Sequence, residues 1–264
     1  MRAKFQYFMK IQLVSFPAYN RLSTKERLDR YSAVLDILSN TDADFVMFSE
    51  WVLKSPSDLT SMEPALRKSR KKPVTALIEL NEKKGLKGNQ MYLFQDGVWQ
   101  NIGCQVFAES SKVDEDNVEL LLDEIEKYRL FEVNSLRFLC LQCGENNIMR
   151  SVKGEDRAVF RLQKCAKLKS RFDDIFSNVD VVLNPTHTPW LGRFKEPFES
   201  RMKTFSEKKR YCFTCTQMKG KQLENARNNP KDNSTMKGMH SRRLMKPIFT
   251  NQDKDYLIQI YEID

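Results

Sequence analysis

A cysteine at position 143 stands between a short apolar run, Leu136 to Leu141, broken only by Arg137, and a glycine, Gly144. An apolar run of that length reads as a buried strand. The Asn146-Asn147 pair beyond it suits a turn with positive φ angles. The pattern predicts a strand-to-turn elbow that presents the Cys143 sulfur, with the backbone N–H of Gly144 beside it. Such a pair can do acyl-transfer chemistry, the thiol attacking a carbonyl-type carbon and the amide holding the negative oxygen that forms. A second reactive group, the carboxylate of Glu50, follows the continuous apolar run Phe45 to Phe48, just past a predicted strand end, where α/β proteins build their sites.

The other cysteines call for a competing reading. Cys140 and Cys143, like Cys212 and Cys215, have the C-x-x-C spacing of zinc ribbons. Both pairs lie within apolar strand-like runs, however, and a spacing of three along a strand sends the two side chains to opposite faces. Buried thiols plus one reactive thiol fit this pattern better than a metal site, and no cofactor is expected.

The elements that must position Cys143 and Glu50 follow from periodicity. Met9 to Phe16 alternates as a strand, and Ser23 to Leu38 is a capped amphipathic helix. With Phe45 to Phe48 they make a β-α-β opening. Ser55 to Lys72 is a polar helix or loop ending in a basic run, and Pro73 to Leu80 a third strand. Gln90 to Phe94 and Val98 to Ile102 flank the hairpin signal Asp96-Gly97. Asp116 to Leu130 reads as an acidic surface helix or lid, and Asp156 to Phe176 as a long amphipathic helix. Asn178 to Leu183 is a strand ending at Asn184-Pro185. A helix over 198–209, a strand over 211–216, a basic surface loop over about 219–246 and a closing strand over 256–263 complete the chain.

With 264 residues, 41% of them hydrophobic, the chain can bury a large core. No run is long enough to span a bilayer, and Met1 to Lys10 lacks the apolar centre of a signal peptide. Six cysteines are too few for a disulfide scaffold of this size. These features predict a cytoplasmic α/β protein with no membrane partner. The formal charge of +9 and the basic residues of the 219–246 segment could attract phosphate backbones, though without interleaved aromatics to stack bases. A solvated loop is the simpler reading.

The order strand-Glu, hairpin, strand-Cys, strand-Asn-Pro resembles the nitrilase, or carbon–nitrogen hydrolase, superfamily. Residues 45–50 resemble the strand leading to that family's catalytic glutamate, with Ser49 where proline is usual. Cys143-Gly-Glu-Asn146 is similar to its cysteine elbow, 179–185 to its Asn-Pro strand, and Arg201 to Glu207 followed by Tyr211 to Thr214 to the helix and strand beyond. The resemblance spans roughly residues 9–264, so the whole chain, 1–264, is expected to be one domain. It implies an α-β-β-α sandwich, often a homodimer, and a Glu-Lys-Cys triad with Cys143 as nucleophile and Glu50 as general base. The substrate implied is a small amide or nitrile.

The chain departs from that pattern at the lysine. Beyond Asp96-Gly97, just before the apolar pair Val106-Phe107, the expected position holds Gln105, a neutral donor. Losing one well-aimed donor costs about 3 kcal/mol of barrier lowering. Lys112 is the nearest replacement, if the loop after Phe107 folds back. The alternative is a catalytically silent nitrilase-fold module that binds a protein or nucleic acid. Glu145 is expected to orient the elbow backbone and border the pocket, and His187 and Trp190, in the Pro-flanked loop after Asn184, to line it.

Overall fold

A computed structural model describes residues 8–17, 24–69, 72–80, 89–186, 195–218, 235–253 and 255–264. The first sheet has seven strands in the order β14-β15-β1-β2-β3-β4-β5. These are β1 (Met9–Ser15), β2 (Phe45–Phe48), β3 (Thr75–Leu80), β4 (Gln90–Gln95), β5 (Val98–Cys104), β14 (Phe249–Gln252) and β15 (Leu257–Ile263). The second has six, in the order β13-β12-β11-β10-β7-β6. Its strands are β6 (Leu130–Val133), β7 (Leu136–Cys140), β10 (Val181–Thr186), β11 (Tyr211–Thr216), β12 (Met236–His240) and β13 (Arg243–Leu244). A separate hairpin joins β8 (Met149–Ser151) to β9 (Ala158–Phe160).

Strand alternation sorts the side chains into layers. From the first sheet, Ile11, Leu13, Phe45, Met47 and Leu77 meet Phe138, Cys140, Val181, Leu183 and Phe213 from the second. The intervening residues Val14, Val46, Phe48 and Ile78 face outward onto helices α1 (Thr24–Asn40) and α2 (Pro56–Ser69) through Val34, Leu38, Leu59 and Met62. On the other side, Leu139, Val182 and Cys212 pack under α3 (Glu115–Glu124), α4 (Ala166–Ser177) and α5 (Lys195–Phe205). The result is the expected four-layer α-β-β-α sandwich. Strands β1, β2 and β3 are parallel, as are β7, β10 and β11. Their C-terminal ends bring the segments after β2 and β7 together across the two sheets.

Several local expectations are corrected. The elbow is a 3₁₀ turn over Cys143–Ile148, and Asn146 and Asn147 are not among the positive-φ residues. Positive φ falls instead at Asn134 and Ser135, which close a tight β6–β7 hairpin that periodicity did not reveal. The helix expected from Asp156 begins only at Ala166; its first part forms β9, paired with β8 around Gly154. The acidic helix stops at Glu124 and continues as one π-helical turn, Ile125–Arg129, before β6. Within the basic segment, 219–234 lie outside the described residues. Much of the remainder is strand: Met236, Gly238 and Met239 are buried in β12, antiparallel to β11, and β13 follows after a turn.

The cysteines follow the alternation argument. Cys212 faces the helices and Cys215 the inter-sheet layer, so the pair cannot share a ligand. All six are free thiols. Burial pushes the thiols of Cys140, Cys212 and Cys215 well above the ordinary range, which makes them poor nucleophiles. Among the described residues, no group of three or more His, Cys, Asp or Glu is arranged to hold a metal ion, and no helix is long and apolar enough to cross a membrane.

Candidate active site

Glu50 follows the last residue of β2 by two positions, and Cys143 follows β7 by three. Both strands end at the same rim of the sandwich, one in each sheet. The backbone N–H of Cys143 donates to Glu50 Oε1 at 3.1 Å. The residues are 1% and 5% exposed, so the contact is made almost out of water. Glu50 is itself anchored from the second sheet, its carbonyl accepting from Gln217 Nε2 at 2.5 Å. Ser15 Oγ donates to the Thr216 carbonyl at 2.5 Å, and Cys215 Sγ to the Val14 carbonyl at 3.2 Å, tying the same ends of the two sheets together.

The elbow is held by three buried supports. The first is Glu145, which is fully buried and therefore does not border an open pocket, correcting that part of the expectation. Its Oε1 accepts from Val106 N at 2.8 Å, while Oε2 accepts from Gln142 N at 2.8 Å and from Arg129 Nη1. Its two oxygens thus tie the backbone amides of Val106 and Gln142 together. Arg129 is also fully buried and donates through Nη2 to the Cys104 carbonyl at 2.5 Å. Burial opposes its charge, but the Glu145 carboxylate outweighs that and raises its pKa.

The second support is Asn184, inside β10, whose Nδ2 donates to the carbonyls of Leu141 at 2.7 Å and Gln142 at 3.2 Å. Asn184 Oδ1 accepts from Asn146 Nδ2 at 3.1 Å, and Asn146 Oδ1 accepts from Arg201 Nη1 of α5 at 2.7 Å. Burial and the nearby Arg161 guanidinium lower the Arg201 pKa to about 10, while Cys143 acts in the opposite direction. A basic group thus reaches the elbow from the helix layer.

The third support is close packing at Gly144. A Cβ there would lie 2.2 Å from Ala108 Cα and 2.4 Å from the Ala108 carbonyl oxygen, so only glycine fits beneath the 105–108 segment. That segment carries Gln105. The Asn89 carbonyl accepts from both Gln105 N, at 2.9 Å, and Gln142 Nε2, at 3.0 Å, which sets Gln105 against the residue preceding Cys143. Gln105 Oε1 accepts from Asn89 Nδ2 at 3.2 Å, and its Nε2 is buried with no partner among the described residues.

Lys112 lies on a short turn, Ser110–Lys112, and is exposed, whereas the Glu50–Cys143 pair is buried. The Ser110–Lys112 turn packs against the elbow turn, as the loop after Phe107 would have to for Lys112 to approach, while the Lys112 residue itself stays exposed; Gln105 meets the elbow through Asn89. His187 and Trp190 lie outside the described residues. His240 sits on β12, its ring stacked on Tyr211 with centroids 4.2 Å apart.

Sequence reasoning missed Glu79, Arg129, Asn184 as a staple, and Arg201 as a partner of the elbow. A signal for Glu79 was present: a lone carboxylate in the apolar run Thr75–Leu80, on the same strand face as Leu77. Arg129 lay in a helix read as surface-exposed, and nothing local marked it as buried.

A thiol and a carboxylate at the rim of an α-β-β-α sandwich define a class of fold with a cysteine elbow. No family model and no curated protein matches the chain by sequence. Solved structures do match by shape. A glutamine-dependent NAD(+) synthetase from Cytophaga hutchinsonii superposes with a TM-score of 0.57 at 9% identity, over 97% of this chain and 43% of that one. A CN-hydrolase superfamily protein from Xanthomonas campestris, with an arsenic adduct in its active site, gives 0.55 at 12% identity, over 98% of this chain and 91% of that one. A mutant amidase of the nitrilase superfamily from Nesterenkonia gives 0.52 at 11% identity, over 96% and 90%. The chain has the nitrilase-superfamily, carbon–nitrogen hydrolase fold. It spans less than half the length of the matched synthetase.

Proposed function

We propose that this chain is a cysteine-dependent hydrolase of carbon–nitrogen bonds, acting on a small amide or nitrile. The observation that supports the reading is the Cys143 N–H to Glu50 Oε1 hydrogen bond, which brings the Glu50 carboxylate to the residue that carries the elbow thiol. The amidase and the glutamine-dependent synthetase among the similar structures support the substrate class. For an amide, Glu50 takes the Cys143 proton as sulfur attacks the carbonyl carbon. The oxyanion is held by the Gly144 N–H and the unpartnered Gln105 Nε2. Collapse expels the amine, which leaves with the proton from Glu50 and a thioester on Cys143. Water then attacks the thioester and gives a proton to Glu50; collapse releases the acid, and the departing thiolate takes that proton back from Glu50, which restores both groups.

Arg201 stands in part for the missing lysine, since its half-buried guanidinium is joined to the elbow through Asn146 and brings a positive charge towards the site. It is a long-range contribution and acts through position rather than contact with the reacting oxygen.

The second reading, a silent binding module, is favoured by the exposure of Lys112 and the neutrality of Gln105. Ammonia release from a panel of small amides and nitriles separates the two. Turnover that disappears in Cys143→Ser supports the hydrolase. Absence of turnover and of any thioester adduct by intact mass, with a salt-sensitive nucleic-acid gel shift unaffected by Cys143→Ala, supports the module.

A further inference from the structure

Glu79 is 0% exposed, and neither carboxylate oxygen makes a hydrogen bond of ordinary geometry among the described residues, although the Gln142 amide and the Glu50 carboxyl lie near enough to act on it. A charged group in that position is costly unless paired. Its place in the fold is specific. Along β3, Leu77 faces the inter-sheet layer, while Ala76, Ile78 and Leu80 face the helices, so Glu79 faces inward at the C-terminal end of the strand. Leu80 bridges to Leu53, which brings this end of β3 against the segment that carries Glu50.

The groups that act on Glu79 electrostatically are Glu50 and Cys143, with the Gln142 amide alongside. Cys140 on β7 feels Glu79, Glu50, Glu145 and Arg129. The Arg129 charge is already engaged by Glu145. Burial first, and then the Glu50 charge, push the Glu79 carboxyl well above the ordinary range.

We propose that Glu50 and Glu79 form a carboxylate pair that holds one proton beside the Cys143 thiol, with Glu79 keeping it so that Glu50 remains the base. This rests on the hydrolase reading for its purpose but not for its existence. Two carboxylates at close range in a dry site do not both ionise. A protonated Glu79 leaves the site with one negative charge instead of two. Proton transfer from sulfur to Glu50 then proceeds with Glu79 as a neutral neighbour throughout the cycle. Glu79 is a positioning residue: it acts on Glu50 and does not touch substrate.

Infrared spectroscopy of the full chain tests this without turnover. At pH 7 the wild-type protein should show the carbonyl band of a buried protonated carboxylic acid, shifted in D₂O and absent from Glu79→Gln. If Glu79→Gln does not fold, titration of the wild-type band decides, because an ordinary glutamate is ionised above about pH 4.3. A band that persists to neutral pH supports the pair, and its absence overturns it. In a folded Glu79→Gln, Cys143 alkylation at pH 7 should change by less than about threefold. At alkaline pH the variant should outpace wild type, because only wild type gains a second carboxylate charge. A wild-type band that is unchanged in Glu79→Gln, or, where Cys143 reacts, parallel alkylation profiles of the two proteins, would overturn the assignment. Failure of Cys143 to react at all, with the band present, would sink the hydrolase reading and leave the pair standing.

Discussion

The amide of Cys143 and the carboxylate of Glu50 meet at 3.1 Å although 93 positions separate them in sequence. Each arrives on a parallel strand of a different sheet, so the contact exists only when the two sheets stack in register. The contact also places the acceptor oxygen at the start of the elbow turn. Folding the sandwich and assembling the site are therefore the same event.

The elbow depends on the ion pair behind it. Arg129 and Glu145 are both fully buried, so removing either leaves an uncompensated charge in the core. Arg129→Met and Glu145→Gln should each cost about 3–5 kcal/mol in urea unfolding. The double variant should cost clearly less than the sum, because no lone charge remains. Additive losses would mean that the two groups do not stabilise each other.

Gly144→Ala should be disruptive out of proportion to one methyl group. The Cβ would overlap Ala108 backbone at 2.2 Å, and backbone cannot rotate away as a side chain can. A loss of about 1–3 kcal/mol is expected, with much reduced Cys143 reactivity. A variant with wild-type melting temperature and reactivity would show that the 105–108 segment does not pack on the elbow.

Asn184→Asp keeps the shape of the staple but replaces its donor with an acceptor facing the Leu141 and Gln142 carbonyls. It should lose at least about 1–3 kcal/mol, whereas Thr214→Val, which removes only a hydroxyl donor to the Asn184 carbonyl, should lose no more than about 1 kcal/mol. Equal costs in thermal melts would remove the staple from the account.

Stability should also depend on pH through Glu79. Its carboxyl is raised above the ordinary 4.5 by burial and by Glu50. Above that value the folded state retains a proton that the unfolded state has lost, so stability falls as pH rises towards the folded pKa. Below 4.5 the contribution is fully present. Melting curves from pH 5 to pH 8 should show wild type declining more steeply than Glu79→Gln, which has no proton to lose. Parallel declines would contradict this.

Strands β1 to β5, β7, β10, β11 and β15 and the thiol beyond β7 were legible because they rest on local signals: apolar runs, alternation and Asp96-Gly97 with its positive φ values. Glu50 was visible as a carboxylate past a strand end. Less legible was whatever depends on distant partners. Glu145 could be guessed as a backbone orienter, but Arg129 reaches it from a π-helical turn whose periodicity looks like exposed helix. The 149–160 hairpin was hidden because its strands are three residues each, too short to alternate convincingly. Gln105 was identified as neutral from the order of residues, yet only its contact with Asn89 ties it to the elbow.

The central claim is that Glu50 takes the proton of Cys143, and the rate of Cys143 carboxamidomethylation by iodoacetamide, followed by peptide mass spectrometry at pH 7, tests it most directly. Glu50→Gln retains an acceptor for the Cys143 N–H while deleting the charge. This substitution should slow labelling of Cys143 at least about tenfold in a protein that remains folded. Equal labelling rates in the two folded proteins would contradict it.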